Sequence, residues 1–110
     1  MVRQVSQVSD SGFAHDLERG LELYRRRQFF EAHEVWEDRW LVSKGDERRL
    51  LHGLIQLAAG WHQLGKRGPK GAARLLRKAL VRLEPLGDLC LGVNVAEFRR
   101  EATEWLEAAQ

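Results

Sequence analysis

The chain has 110 residues, of which 44% are hydrophobic and 31% charged, with one cysteine and a formal net charge of +2. That length fits one domain with a single core and leaves no room for two. The lone Cys90 excludes an internal disulfide framework and suits a reducing cytosol. No apolar run approaches the ~20 residues of a membrane span. The opening residues Met1 to Gly12 are polar and lack the hydrophobic stretch of a secretory signal. The expectation is a cytoplasmic protein with a flexible tail over residues 1–9 and one helical domain over 10–110.

Apolar residues recur with a period near 3.6 along most of the chain, which predicts helices, and no segment reads convincingly as a strand. A first helix starts among Ser9, Asp10 and Ser11, each a competent cap, and carries Phe13, Leu17, Leu21 and Tyr24 on one stripe to about Arg26. A second covers about Gln28 to Val42, with Gly45 beyond its end. A third begins at the cap Asp46 and runs to about Leu64. Gly65 and Gly68 then break the chain before a fourth helix that has Pro69 in its first turn, where a missing N–H costs nothing, and ends near Glu84. Leu86, Leu89 and Leu91 predict that the following loop packs down. Asn94 and Glu97 form a capping-box-like pair for a last helix lined by Phe98, Ala102, Trp105, Leu106 and Ala109. Connections this short favour an all-α bundle of about five helices.

Charge is distributed unevenly. Residues 10–47 carry ten acids and six bases, residues 48–83 carry nine bases and no acid, and residues 84–110 carry six acids and two bases. The second helix sets Glu31, Glu34 and Asp38 along one stripe between the apolar flanks Phe30, Leu41, Val35 and Val42. Acids seated between apolar flanks predict partial burial and pairing with bases of the third or fourth helix, since an unpaired buried charge is costly. Arg48, Arg49, Arg74 and Arg77 are the cations in reach. His33 and Glu37 stand four apart. The third helix is apolar over half its circumference, which predicts that the second and third helices are central. Its His62 lies among apolar neighbours, His52, Gln56 and Gln63 form a polar stripe, and Gly53 and Gly60 leave room for a neighbouring helix to approach closely.

The run Phe29-Phe30-Glu31-Ala32-His33-Glu34-Val35-Trp36-Glu37-Asp38-Arg39-Trp40, followed by Gly53-Leu54-Ile55-Gln56-Leu57-Ala58-Ala59-Gly60-Trp61-His62, resembles the bacterial and archaeal domain-of-unknown-function family 309, over about residues 20–85. The resemblance implies a small multihelical fold and a cytoplasmic protein, and it implies no activity. It singles out Glu31, His33, Glu34, Glu37, Trp40, Gln56 and His62 as a polar signature without a role.

Three chemistries compete, two of them at that signature. Carboxylates and imidazoles on neighbouring helices could hold a metal, but His33-Glu34-x-x-Glu37 lacks the second histidine of a zincin, and Phe30 and Ala59 stand where a paired Glu-x-x-His motif needs glutamate. No residue is therefore assigned as a metal ligand. General acid–base hydrolysis has candidate bases in His33 and Glu34 and an orienting amide in Gln56, without an evident nucleophile, so no catalytic residue or cofactor is assigned. Nucleic-acid binding would use Lys66, Arg67, Lys70, Arg74, Arg77 and Lys78. No base-reading residues interleave with these, and a solvated face explains them better. The favoured reading is a small-ligand or partner-binding pocket at Glu31, His33, Glu34, Glu37, Asp38, Gln56 and His62. A metal-dependent hydrolase and a nucleic-acid module are the alternatives, and self-association through the last helix and the Leu86–Leu91 loop stays open.

Overall fold

A computed structural model describes the backbone of residues 2–109 and the side chains of residues 12–109. Five α-helices follow one another: α1 (Val2–Arg25), α2 (Phe29–Trp40), α3 (Gly45–Arg67), α4 (Pro69–Leu83) and α5 (Val95–Ala109). A single 3-10 turn (Glu84–Leu86) and a small hairpin, β1 (Leu89–Cys90) with β2 (Val93–Asn94), join α4 to α5. The expected all-α bundle is present, and α2 and α3 pack centrally, with α1 against α2 and α4 against α3.

Element boundaries shift for local reasons. The α1 backbone is helical from Val2, ahead of the expected start at Ser9 to Ser11, because extending a helix adds one hydrogen bond for each residue fixed. The side chains of residues 1–11, and with them the packing of the tail expected over 1–9 and its caps, lie outside the described residues. α3 continues through Gly65 and stops at Gly68, whose φ of +91° suits glycine. Gly68 is also the N-cap of α4, with Pro69 in the first turn as expected. Asp46 is not a cap. It sits in the first turn of α3, where an acid complements the helix dipole, and accepts a 3.0 Å bond from Arg49. Asn94 does cap α5, its Oδ1 accepting from the Glu97 amide at 3.2 Å.

The hairpin corrects the reading of the leucine-rich loop. Leu91 and Gly92 both have positive φ, the conformation of the tight turns that match strand twist. The resulting alternation buries Cys90 and Val93 and turns Leu89 and Leu91 outward. Burial of the thiol, reinforced by the charge of Asp46, pushes the Cys90 pKa up. Arg99 of α5 fixes the segment from the other side. Its guanidinium donates to the Gly87 carbonyl at 2.6 Å and to Asp88 at 2.7 Å.

The core is centred on α3, where Leu50, Leu51, Leu54 and Leu57 are fully buried beside Trp36, Leu76 and Leu83. Close approach depends on missing side chains. Leu83 and Leu76 of α4 lie against Gly53 and Gly60, as the glycine spacing predicts, and the Trp36 indole fills the space over Gly20. Trp36 Nε1 donates to the Leu17 carbonyl at 3.3 Å, so this buried ring ties α2 to α1 by a hydrogen bond as well as by area.

Candidate functional site

The acidic stripe is not indoors. Glu31, Glu34, Glu37 and Asp38 are exposed, and among the described residues none of Glu31, Glu34 and Asp38 pairs with a cation of α3 or α4. The flanks expected to roof them are themselves open: Leu41 is 65% and Val42 69% exposed. The geometric cause is that α4 packs against α3 and shares no extensive contact with α2. Its bases are therefore kept from the stripe. The expected partners are engaged elsewhere or solvated. Arg48 stacks 3.8 Å over the Trp40 ring and donates to the Trp40 carbonyl at 2.9 Å, Arg49 meets Asp46, and Arg74 and Arg77 are exposed. The cation beside the stripe is Arg19 of α1, which lines a shallow depression with Glu31, Glu34 and Asp38. The tight pair in this region is one the sequence reading missed, Arg39 with Asp16 at 2.8 Å, joining α1 and α2.

The other signature residues fall in two further places. Phe30, 46% exposed, lies between the two imidazoles, with ring centroids 6.1 Å from His33 and 5.2 Å from His62. His33 Nε2 stands 4.0 Å from Glu37, too far for a hydrogen bond, and its Nδ1 is buried without a partner among the described residues. Gln56 is turned toward α4, where its carbonyl accepts from Arg82 Nε at 3.0 Å. The seven candidates thus divide among the α1–α2 groove, the Phe30 shelf and the α3–α4 face, and they do not line one pocket. Among the described residues no three of His, Cys, Asp and Glu are placed to hold one metal ion. The groups with displaced titration also stand apart. His52 beside Trp40 is held below its usual range by burial and by Arg82 and Arg48, and Cys90 lies in the hairpin.

A concavity that the sequence reading did not assemble lies between the α1–α2 turn and α5. Its volume is about 660 Å³, within the usual span of small-molecule sites. Tyr24 of α1 is only 8% exposed and forms the floor. Phe29 of α2 and Phe98 of α5 meet its ring edge-on, with centroids 5.1 and 5.3 Å away. Trp61 of α3 donates its Nε1 hydrogen to Tyr24 Oη at 2.6 Å and packs edge-on against Trp105 of α5 at 6.0 Å. Burial, and after it the charge of Glu101, drives the Tyr24 phenol well above its ordinary range, against smaller opposing effects of the Trp61 bond and Arg27. The phenol therefore stays protonated. Arg27, at a φ of +64°, turns the chain from α1 into α2 and stands at the cleft's edge. On the rim Glu18 meets Arg25 and Glu97 meets Arg100, each at 3.6 Å.

The sequence reading places Tyr24, Trp61, Phe98 and Trp105 each on an apolar face, and no periodicity brings four helices to one point. The available signal was chemical. A buried tyrosine and a half-buried tryptophan each carry a polar atom that needs a partner, and here they supply it to each other.

Fold and cleft together define a small helical bundle that presents an aromatic concavity with a charged rim. The chain belongs to the family described as domain of unknown function 309, which matches residues 17–75. That span holds Tyr24, Phe29 and Trp61 but not the α5 wall of the cleft. An uncharacterized protein of Aquifex aeolicus is 30% identical over 79 residues, 71% of this chain and 24% of that protein, so the chain spans about a quarter of the length of this curated relative. The crystal structure of a conserved hypothetical protein from Thermus thermophilus is similar at 42% identity and a TM-score of 0.69, over 82% of this chain and 94% of that one. None of these descriptions assigns an activity.

Proposed function

We propose that this chain is a binding module that seats a small organic ligand in the Tyr24 cleft. The observation that carries the reading is the part-buried Tyr24–Trp61 hydrogen bond at the floor of a concavity open to solvent. A phenol hydroxyl has one proton and two lone pairs, and Trp61 uses one lone pair. The proton and the second lone pair remain for a ligand, beside aromatic faces that supply contact area at little entropic cost. This moves the favoured pocket away from the acid and histidine signature. The Phe30 shelf borders the cleft through Phe29, Trp61 and Arg27, so a long ligand would touch both. Cytoplasmic residence is part of the proposal, supported by the single buried cysteine.

A panel of small aromatic and aliphatic compounds, titrated while the Trp61 indole N–H resonance is followed, tests the reading. Saturable shifts of that resonance, weakened in Tyr24→Phe without loss of fold, are expected. A Trp61 resonance that no compound moves, or binding that maps to Phe30 and His62 instead, overturns it.

A further inference from the structure

We infer that the cleft selects an organic cation, a protonated amine carrying an apolar or aromatic body; the inference rests on the cleft being the ligand seat proposed above. Four carboxylates line it, and two are already answered, Glu18 by Arg25 and Glu97 by Arg100. Glu101 and Glu104 stand three apart on α5, so their carboxylates share one face of that helix. Neither meets a cation within ion-pair distance among the described residues. The remaining cation of the lining, Arg27, belongs to the α1–α2 turn rather than to α5. The uncompensated charge over the floor is therefore negative. The phenol at the floor registers the same balance, since Glu101 acts on it more strongly than Arg27 does.

The floor has a matching chemistry. Aromatic rings present negative faces, and a cation within about 6 Å of a centroid is attracted to them. Tyr24, Trp61 and Phe98 bring such rings into the same cleft as the two glutamates. An ammonium placed between Glu101 and Glu104 gains charge-assisted hydrogen bonds on one side and ring faces on the other, and its apolar body covers the rest of the floor. A carboxylate or phosphate ligand would have to approach two unneutralised glutamates instead. Both acids lie in α5, outside the family-matched residues 17–75, so the choice of ligand charge belongs to a part of the chain that the family match does not span.

The test is isothermal titration at low ionic strength and pH 7 with three probes of one shape: 2-phenylethylammonium, 2-phenylethanol and phenylacetate. The Trp61 indole resonance is followed in parallel. The ammonium is expected to bind about tenfold more tightly than the alcohol, and phenylacetate more weakly than either. The double variant Glu101→Gln/Glu104→Gln, changed only at exposed positions, should lose about tenfold for the ammonium and nothing for the alcohol. Equal affinity for the ammonium and the alcohol, tighter binding of phenylacetate, or a double variant that keeps its ammonium affinity overturns the charge preference and leaves the cleft standing as the seat. If no probe moves the Trp61 resonance, the seat and the preference fall together.

Discussion

Replacing Gly20 by alanine tests the packing that places Tyr24. A Cβ built at Gly20 lies 2.0 Å from Trp36 Nε1, 2.3 Å from Cε2 and 2.5 Å from Cδ1, all atoms of one rigid and fully buried ring. Ordinary contact begins near 3.4 Å, so the indole must recede by about 1.4 Å. That shift breaks the 3.3 Å bond from Nε1 to the Leu17 carbonyl and presses on the Tyr24 ring, whose centroid is 5.9 Å away. Overpacking costs about 1–3 kcal/mol, and an indole N–H left buried without its partner about 1–3 kcal/mol. Alanine returns about 1 kcal/mol of helix propensity. The net expectation is a loss of about 1–5 kcal/mol, read as a lower urea midpoint at unchanged slope. Gly65→Ala is the control. It lies in a helix with nothing within 4 Å of its Cβ, and it should gain up to about 1 kcal/mol. A Gly20→Ala protein as stable as wild type would refute the close approach of α2 to α1 at this point.

Neutralising the acidic stripe by Glu31→Gln, Glu34→Gln and Asp38→Asn, one at a time, should move stability by no more than about 0.5 kcal/mol, because each side chain is exposed; thermal melts check this. Arg99→Met removes the guanidinium that holds the Gly87 carbonyl and Asp88, and about 1–2 kcal/mol is expected to be lost, with faster amide exchange in the β1–β2 hairpin. His52 titrates below its usual 6.5 because burial, Arg82 and Arg48 all disfavour its charged form. The unfolded chain therefore takes up that proton first. The stabilising contribution is complete above pH 6.5 and is lost as pH falls through the lower folded value. Urea midpoints across that window should fall less steeply in His52→Gln than in wild type.

The helices were legible because their signals are local. The stripe Phe13, Leu17, Leu21 and Tyr24, the Gly68–Pro69 junction and the Asn94 cap each depend on a few neighbouring residues. Gly53 and Gly60 even announced the face on which α4 packs. The acidic stripe was misread because exposure depends on where other helices lie. Apolar flanks at Leu41 and Val42 look identical whether a fourth helix covers them or, as here, packs on α3 and leaves them open. The cleft was hidden for a related reason. Its floor and walls come from α1, α2, α3 and α5, and the placement of α5 follows from contacts with α4 and the hairpin rather than from any pattern within its own sequence.

The most direct test of the cleft as ligand seat is a set of intermolecular nuclear Overhauser effects between bound 2-phenylethylammonium and the aromatic protons of the full chain. Contacts to the rings of Tyr24, Trp61 and Phe98 are expected. Contacts confined to Phe30 and His62, or to no aromatic ring, would contradict the account.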